Sequence, residues 1–297
     1  MYPPDEKGRY HYLARFGYCG KAFRGVIRQP NQYTVTDALL DCFRRLGTKR
    51  VGGLQFASRT DAEVHADENF ASFYLREPLC SYFEPDHPLP TGLTYIQLHE
   101  IPKTVHARNL ALSKHYEYLI KDNQENDVWA SDNYWPIAVA LDPYSLQQAS
   151  KLISGHHNFR AFSAIRAPEI NTHRKITVTT KSITLSDGTQ EFTIAVSGES
   201  FLRKQVRIIV GSLAEIASGL MPIHHLKHVL DSEDRALAGP TAPARGLHLR
   251  RIFLQPGLHD TMHLVGHLGK CPELPSSSFQ ANQDKEEIVP PTSSLRP

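Results

Sequence analysis

The sequence predicts an α+β fold built as two halves, and three observations carry that reading. The chain has 297 residues, about twice the length of a common domain. Strand-like alternation and helix-like periodicity both occur in each half. Residues 174–185 and 190–197, both β-rich, are joined by Ser186-Asp187-Gly188-Thr189, and Asp-Gly between two such runs signals an antiparallel hairpin. Hairpins mixed with helices argue against a doubly wound parallel sheet.

Tyr10, Tyr12, Ala14, Phe16 and Tyr18 alternate along residues 9–18 and predict a half-buried strand, followed by a turn at Gly17, Gly20 and Gly25. Val35, Leu39, Cys42, Phe43 and Leu46 recur at helical spacing over 35–46, with Thr34 placed to cap the start and Gly47 to end it. Strands are predicted over 68–76 and 93–100, separated by a Pro-containing loop from Cys80 to Pro90. A second half begins near Lys103, with strands over 114–121 and 136–141. Asp142-Pro143 offers an N-cap and a first-position proline, and Gly155 a stop. After the hairpin, Ser200 opens a long helix with Phe201, Val206, Ile209, Val210, Leu213 and Ile216 inward and Gly219 at its end. Pro222 starts a shorter helix to about Leu230, and a last strand runs near 247–254. The halves are therefore 1–102 and 103–257. Beyond Gly257 the composition shifts to Pro, Ser and Gln, so 258–297 is read as a tail, disordered over Pro272–Pro297.

Hydrophobic residues at 40% and charged residues at 22% are a globular balance. Lys+Arg number 33 against Asp+Glu 31, a formal charge of +2, so a polyanion-binding surface must be a local patch. No run approaches the length of apolar residues that a spanning helix needs. Met1–Glu6 carries two acids and no apolar core, unlike a signal peptide, and strand-like sequence from Arg9 fits a transit peptide poorly. Cys19, Cys42, Cys80 and Cys271 lie far apart without a C-x-x-C pair. That points to a reduced intracellular compartment, with neither a disulfide framework nor a zinc ribbon.

Among the candidates for chemistry, His224 and His228 stand at metal-binding spacing on a helix but lack an acidic or cysteine partner, so they read as surface or packing residues and no metal is expected. Arg44, Arg45, Lys49, Arg50 and Arg59 form a basic stretch without intervening acids, and Arg203 and Arg207 share a helix face beside Lys204. Such faces are either solvated surface or phosphate contacts. The densest run, Ser58-Arg59-Thr60-Asp61-Ala62-Glu63-Val64-His65-Ala66, reads equally as a site and as a turn closed by an Arg59–Asp61 ion pair. No second carboxylate is evident for two-carboxylate glycosidase chemistry.

Six blocks in order resemble the TruA family of tRNA pseudouridine synthases over about residues 9–255. Arg59 to Ala66 is similar to its R-T-D-x-G-V-H-A motif, and Tyr18 to Gly25 to its first loop. His106-Ala107-Arg108 with Lys114-His115-Tyr116-Glu117-Tyr118 resembles its A-R and R-x-Y-x-Y segments. Gly155 through Phe162 resembles G-x-H-D-F-x-x-F, Gly198 to Gly211 the F-L-x-x-x-V-R-x-x-V-G helix, and Ala238 to Leu247 the A-G-x-T-A-P-A-x-G-L ending. Ser58 and Lys204-Gln205 resemble most the eukaryotic pseudouridylate synthase-like branch.

The resemblance implies two tandem α+β halves with mostly antiparallel sheets around a central RNA-binding cleft. It implies isomerisation of uridine to pseudouridine, tRNA as partner, and no cofactor. Asp61 falls at the family's nucleophile, Tyr116 at its base-stacking tyrosine, Arg207 at the aspartate's basic partner and Leu247 at an apolar contact to uracil. Arg59 and His65 follow as substrate contacts, and Arg24, Arg108, Arg203 and Lys204 as RNA contacts. A homodimer and a cytoplasmic or mitochondrial location are both compatible with it. One residue departs: Glu63 replaces the motif's glycine, which would suit a positive φ or a close approach of RNA. That substitution motivates an alternative, an RNA-binding protein that has lost turnover on the same scaffold.

Overall fold

In the computed structural model, which describes residues 2–48, 50–79, 88–122, 133–165, 167 and 169–270, the N-terminal alternation becomes strand β1 (Tyr10–Tyr18). Tyr12 to Tyr18 are buried at successive positions, not alternate ones, so β1 is covered on both faces and is a central strand, not a half-exposed one. Helix α1 (Val35–Arg45) buries Val35, Leu39, Cys42 and Phe43. Its start is a capping box: Thr34 Oγ1 accepts from the Asp37 N–H at 3.3 Å while the Asp37 carboxylate accepts from the Thr34 N–H at 3.1 Å. Phe43 stacks on Phe73 at 4.5 Å, fixing α1 to the sheet.

Strands β2 (Gly52–Phe56), β3 (His65–Leu75) and β4 (Leu93–Glu100) complete the first half. In the second half β5 (Ala111–Lys121) and the two-residue β6 (Trp135–Pro136) precede helix α2 (Pro143–Ile153). Asp142 caps α2, accepting from the N–H groups of Tyr144 at 3.2 Å and Ser145 at 2.9 Å. Strands β7 (Gly155–Asn158), β8 (His173–Thr184) and β9 (Gln190–Gly198) follow. Helices α3 (Gln205–Ala217) and α4 (His225–Ser232) then lead to β10 (Leu247–Leu254) and β11 (His263–Gly269).

The strands form one sheet in the order β11-β4-β1-β3-β10-β5-β9-β8-β7, with β2 beside β3 and β6 beside β5. Along that path only β3 and β10 run parallel, paired through His65↔His248 and Ala66↔Leu249. This seam joins the halves, and charged side chains extend its short ladder. Glu68, buried, accepts from Arg15 Nε at 2.8 Å and from the Ile252 N–H at 3.1 Å. Arg250 reaches both Asp67 at 2.8 Å and Glu117 at 2.7 Å, tying β10 to the strands on either side.

Several expectations are corrected. Residues 136–141 do not form a strand. Pro136 has no N–H to donate, and after Ile137 binds the Lys121 carbonyl at 2.8 Å the chain turns so that Leu141 N–H meets Asp122 at 3.1 Å. The long helix begins at Gln205, five residues after Ser200, because Lys204 sits at φ 61 and breaks the helical path. The shorter helix begins at His225 instead of Pro222. β2 was not anticipated. Residues 258–270, expected to belong to the tail, carry β11, which pairs with β4 through register contacts such as His263↔Glu100 and Leu268↔Ile96. Pro272–Pro297, expected to be disordered, lies outside the described residues, as do Lys49, Cys80 and Cys271. No helix among the described residues is long and apolar enough to cross a membrane.

Candidate active site

At the seam the loop before β3, the first loop after β1, the face of β5 and the segment leading into α3 enclose a cleft of about 790 Å³. The 58–61 segment is fastened from below. The buried Asn69 amide accepts from the Ser58 N–H at 3.2 Å and donates to the Ser58 carbonyl at 3.0 Å. Ser58 Oγ lies 2.8 Å from the Tyr116 hydroxyl, and Thr60 Oγ1 lies 2.8 Å from the Tyr18 hydroxyl. With both ends of the loop held, Asp61 projects into the cleft with its side chain 32% exposed.

Asp61 pairs with a residue 146 positions away, and Arg59 is not its partner. Arg207 Nη1 donates to Asp61 Oδ2 at 2.9 Å, while Arg207 Nε donates to the Ala242 carbonyl at 2.8 Å. The Ala242 N–H returns a bond to the Arg207 carbonyl at 3.0 Å. A guanidinium anchored at one edge presents the other in a fixed direction, so Arg207 aims the carboxylate. The carboxylate is partly solvated, which makes aiming the larger part of that role compared with offsetting burial.

Tyr116 lies on the cleft wall, edge-on to Phe201 at 5.3 Å. Burial, with the Asp61 charge adding to it, pushes its phenol up to about 12, against the opposing bond to Ser58. The ring is therefore neutral at pH 7, with its hydroxyl held by Ser58. Leu247 opens β10 in the same wall.

Asp61, Arg207, Tyr116, Leu247, Arg59, Arg24, Arg108, Arg203 and Lys204 all line the cleft. His65 does not. It is buried behind the loop, where Nδ1 accepts from the Gly20 N–H at 3.3 Å and the ring stacks on His248 at 4.6 Å. Burial holds His248 down at about 4, so that ring is neutral at pH 7 and the stack carries no repulsion from it. His65 thus braces the motif and is not in a position to touch a ligand in the cleft. Arg44 and Arg45 lie at the end of α1, where Arg44 pairs with Asp41 and Arg45 reaches the Pro88 carbonyl. Of the described residues of the basic stretch, only Arg59 lines the cleft. His224 and His228 flank no third ligand: no group of three His, Cys, Asp or Glu suited to a metal occurs among the described residues.

Sequence reasoning missed Asn69, whose role depends on a contact across strands, and placed Phe201 inside a helix core. It quoted Lys114 only within the segment resembling R-x-Y-x-Y and gave it no role. Strand spacing of two from Tyr116 was the available signal for that residue.

Glu63 is at φ 67, the conformation for which glycine is suited and in which other residues are strained by about 1–2 kcal/mol. Its side chain pairs with Arg24 at 2.7 Å on the rim, both groups about half exposed, a contact worth at most about 1 kcal/mol. Glu63 does not line the cleft. Glu63→Gly is therefore expected to raise thermal stability slightly and to preserve or increase turnover. A fall in both, measured by thermal denaturation and steady-state turnover, would mean that the Arg24 pair outweighs the backbone strain.

Among the described residues, seven cationic side chains line this cleft (Arg24, Arg59, Arg108, Lys114, Arg203, Lys204 and Arg207) and one carboxylate, Asp61. A single aimed carboxylate beside an aromatic ring in a strongly basic cleft defines a site for chemistry on a nucleoside within a polyanion. A family model described as tRNA pseudouridine synthase matches residues 149–253. Proteins named tRNA pseudouridine synthase A are similar over most of the chain. That of Streptococcus thermophilus is 33% identical over 248 residues, 81% of this chain and 98% of its own. That of Streptococcus mutans is 32% identical over 82% of this chain and 98% of its own, and that of Streptococcus pneumoniae 30% identical over 81% and 97%. The chain belongs to the tRNA pseudouridine synthase A family. A chain of a Cbf5-Nop10-Gar1 complex is a remote likeness, 14% identical over 81% of this chain and 54% of that one, with a TM-score of 0.32, too low to bear on the fold.

Proposed function

We propose that this protein isomerises uridine to pseudouridine in tRNA, with Asp61 as nucleophile. The observation that carries the reading is the Arg207–Asp61 pair at 2.9 Å in a cleft lined by six further cations. The reaction breaks the N1–C1′ bond, turns the base and forms a C5–C1′ bond. The hydrogen leaves C5 and N1 gains a proton, so atoms balance without a cofactor. The carboxylate attacks the sugar or the base, or assists elimination at the sugar. The target uridine leaves its stack at a cost of a few kcal/mol. Stacking on Tyr116, with Leu247 on the other side, returns about 1–3 kcal/mol. Release of tritium from C5-labelled uridine in tRNA tests the reading, since binding without turnover releases none. The binding-only alternative rested on Glu63, whose carboxylate turns to Arg24 on the rim and leaves Asp61 to Arg207.

Arg203 and Lys204 stand at the cleft mouth without side-chain partners among the described residues. They are expected to contact RNA phosphates. Arg203→Ala with Lys204→Asn, asparagine being tolerant of the φ of 61 at that position, should weaken tRNA binding. It should also lower the slope of log affinity against log salt by about two, one for each lost contact. Unchanged affinity and slope would make this segment ordinary solvated surface.

A further inference from the structure

Lys114 is a cation without a counterion among the described residues. It stands on β5 two residues before Tyr116, so both side chains leave the strand on one face, and both line the cleft. Two arginines at the cleft have carboxylate partners, Arg207 in Asp61 and Arg24 in Glu63. Lys114 is partly buried, and among the described residues no carboxylate pairs with it and no acceptor takes its protons. Burial lowers its ammonium from the usual lysine range, with no opposing contribution from a neighbouring charge.

A charge withdrawn from water without a partner costs stability. A bound anion that completes the pair offsets that cost, and so favours the liganded state. The anion is not in the cleft wall, because the one carboxylate there, Asp61, is held by Arg207. It is not the base, because uracil enters neutral. The remaining anionic group of a uridine in RNA is its phosphodiester. Positions i and i+2 of a strand lie about 6.6 Å apart, within the reach of a single nucleotide. We propose that Lys114 binds the phosphodiester attached to the target uridine, so that β5 holds one nucleotide by its base on Tyr116 and by its phosphate on Lys114.

This inference rests on the uridine-isomerase reading, so tritium release by the wild-type protein is measured first. No release from tRNA would remove that reading and leave Lys114 aside. With turnover established, Lys114→Met keeps the stem and removes the charge. We expect KM and Kd for tRNA to rise about tenfold, the size of one charge-assisted contact. The salt slope should fall by about 0.7–1, with kcat within a few-fold and the melting temperature of the free protein equal or higher. Lys114→Arg should restore affinity. RNA carrying an uncharged methylphosphonate at the 5′ or the 3′ linkage of the target should weaken wild-type binding about tenfold at one of the two. At that linkage Lys114→Met should bring no further loss. Equal penalties from Lys114→Met on charged and uncharged RNA would overturn the proposal, as would an unchanged slope, or a loss confined to kcat. If the methionine variant does not fold, Lys114→Gln is put through the same comparison.

Discussion

Asp61→Asn is expected to abolish pseudouridine formation while leaving tRNA affinity within several-fold of wild type. The substitution keeps size and one accepting oxygen, and removes the charge and the nucleophilic oxygen. A fall of at least about 10⁴-fold in turnover is the order that follows loss of a nucleophile on which a reaction depends. Binding should be spared, because all seven cations lining the cleft among the described residues remain and the lining acid becomes neutral. Removing that negative group can even tighten binding to a polyanion. Fold should be spared too. Arg207 keeps its bond to the Ala242 carbonyl at 2.8 Å, and its Nη1 can still donate to the asparagine oxygen. The pair is partly exposed, at 15% and 32%, so the net cost is about 1 kcal/mol or less after solvent screening. Tritium release, tRNA binding and thermal denaturation are measured on the same preparation, with deamidation checked by mass. A folded Asp61→Asn protein that converts uridine at near wild-type rate would remove Asp61 from the chemistry.

The local elements were legible because local rules govern them. Thr34 and Asp142 cap the helices they were expected to cap, and the hairpin joining β8 and β9 forms around Asp187-Gly188. What was not legible depends on distant partners. β2 begins Gly52-Gly53, which reads as a turn. A Cβ at Gly52 would meet the Tyr74 ring of β3, which would then have to shift. β11 contains Gly266 and Gly269 and no strand alternation, and it forms because β4 offers an unpaired edge. The parallel seam between β3 and β10 joins residues more than 180 positions apart, beyond any periodicity.

The site divides in the same way. Polarity in the Arg59–Ala66 run marked it as a candidate, but residue type does not report depth. His65, a contact only through the family resemblance, is buried and accepts from the Gly20 N–H. Spacing alone offered Asp61 a neighbour in Arg59, whereas its partner, Arg207, was reached only through the family resemblance. Phe201 had the right apolar phase for α3, yet the positive φ at Lys204 stops the helix short of it and leaves the ring free to meet Tyr116.

Gly211→Ala should be the most damaging single-methyl change in the molecule. In an exposed helix interior, glycine to alanine is worth a gain of about 1 kcal/mol. Here the sign reverses. Gly211 lies in the second turn of α3, and a Cβ on it would strike the Pro240 carbonyl oxygen, with the Pro240 carbonyl carbon 2.9 Å away. The obstacle is backbone, so no rotamer change relieves it, and overpacking of this kind costs about 1–3 kcal/mol or more. Relief requires moving the 239–242 segment off the helix. That segment is fastened by the Gly239 N–H to Ser212 Oγ at 2.8 Å, with the place of a Gly239 Cβ only 2.6 Å from Ser212 Cα. It also carries Ala242, which bonds Arg207 through both its N–H and its carbonyl. Displacing it therefore moves the guanidinium that aims Asp61. The expected result is a melting temperature lower by several degrees, since each kcal/mol is worth about 2–4 °C in a protein of this size. Turnover should fall further than the unfolded fraction explains, with the loss in kcat more than in KM. A Gly211→Ala protein with unchanged melting temperature and unchanged kcat would show that the 239–242 segment yields freely, and that Arg207 does not depend on it for its position.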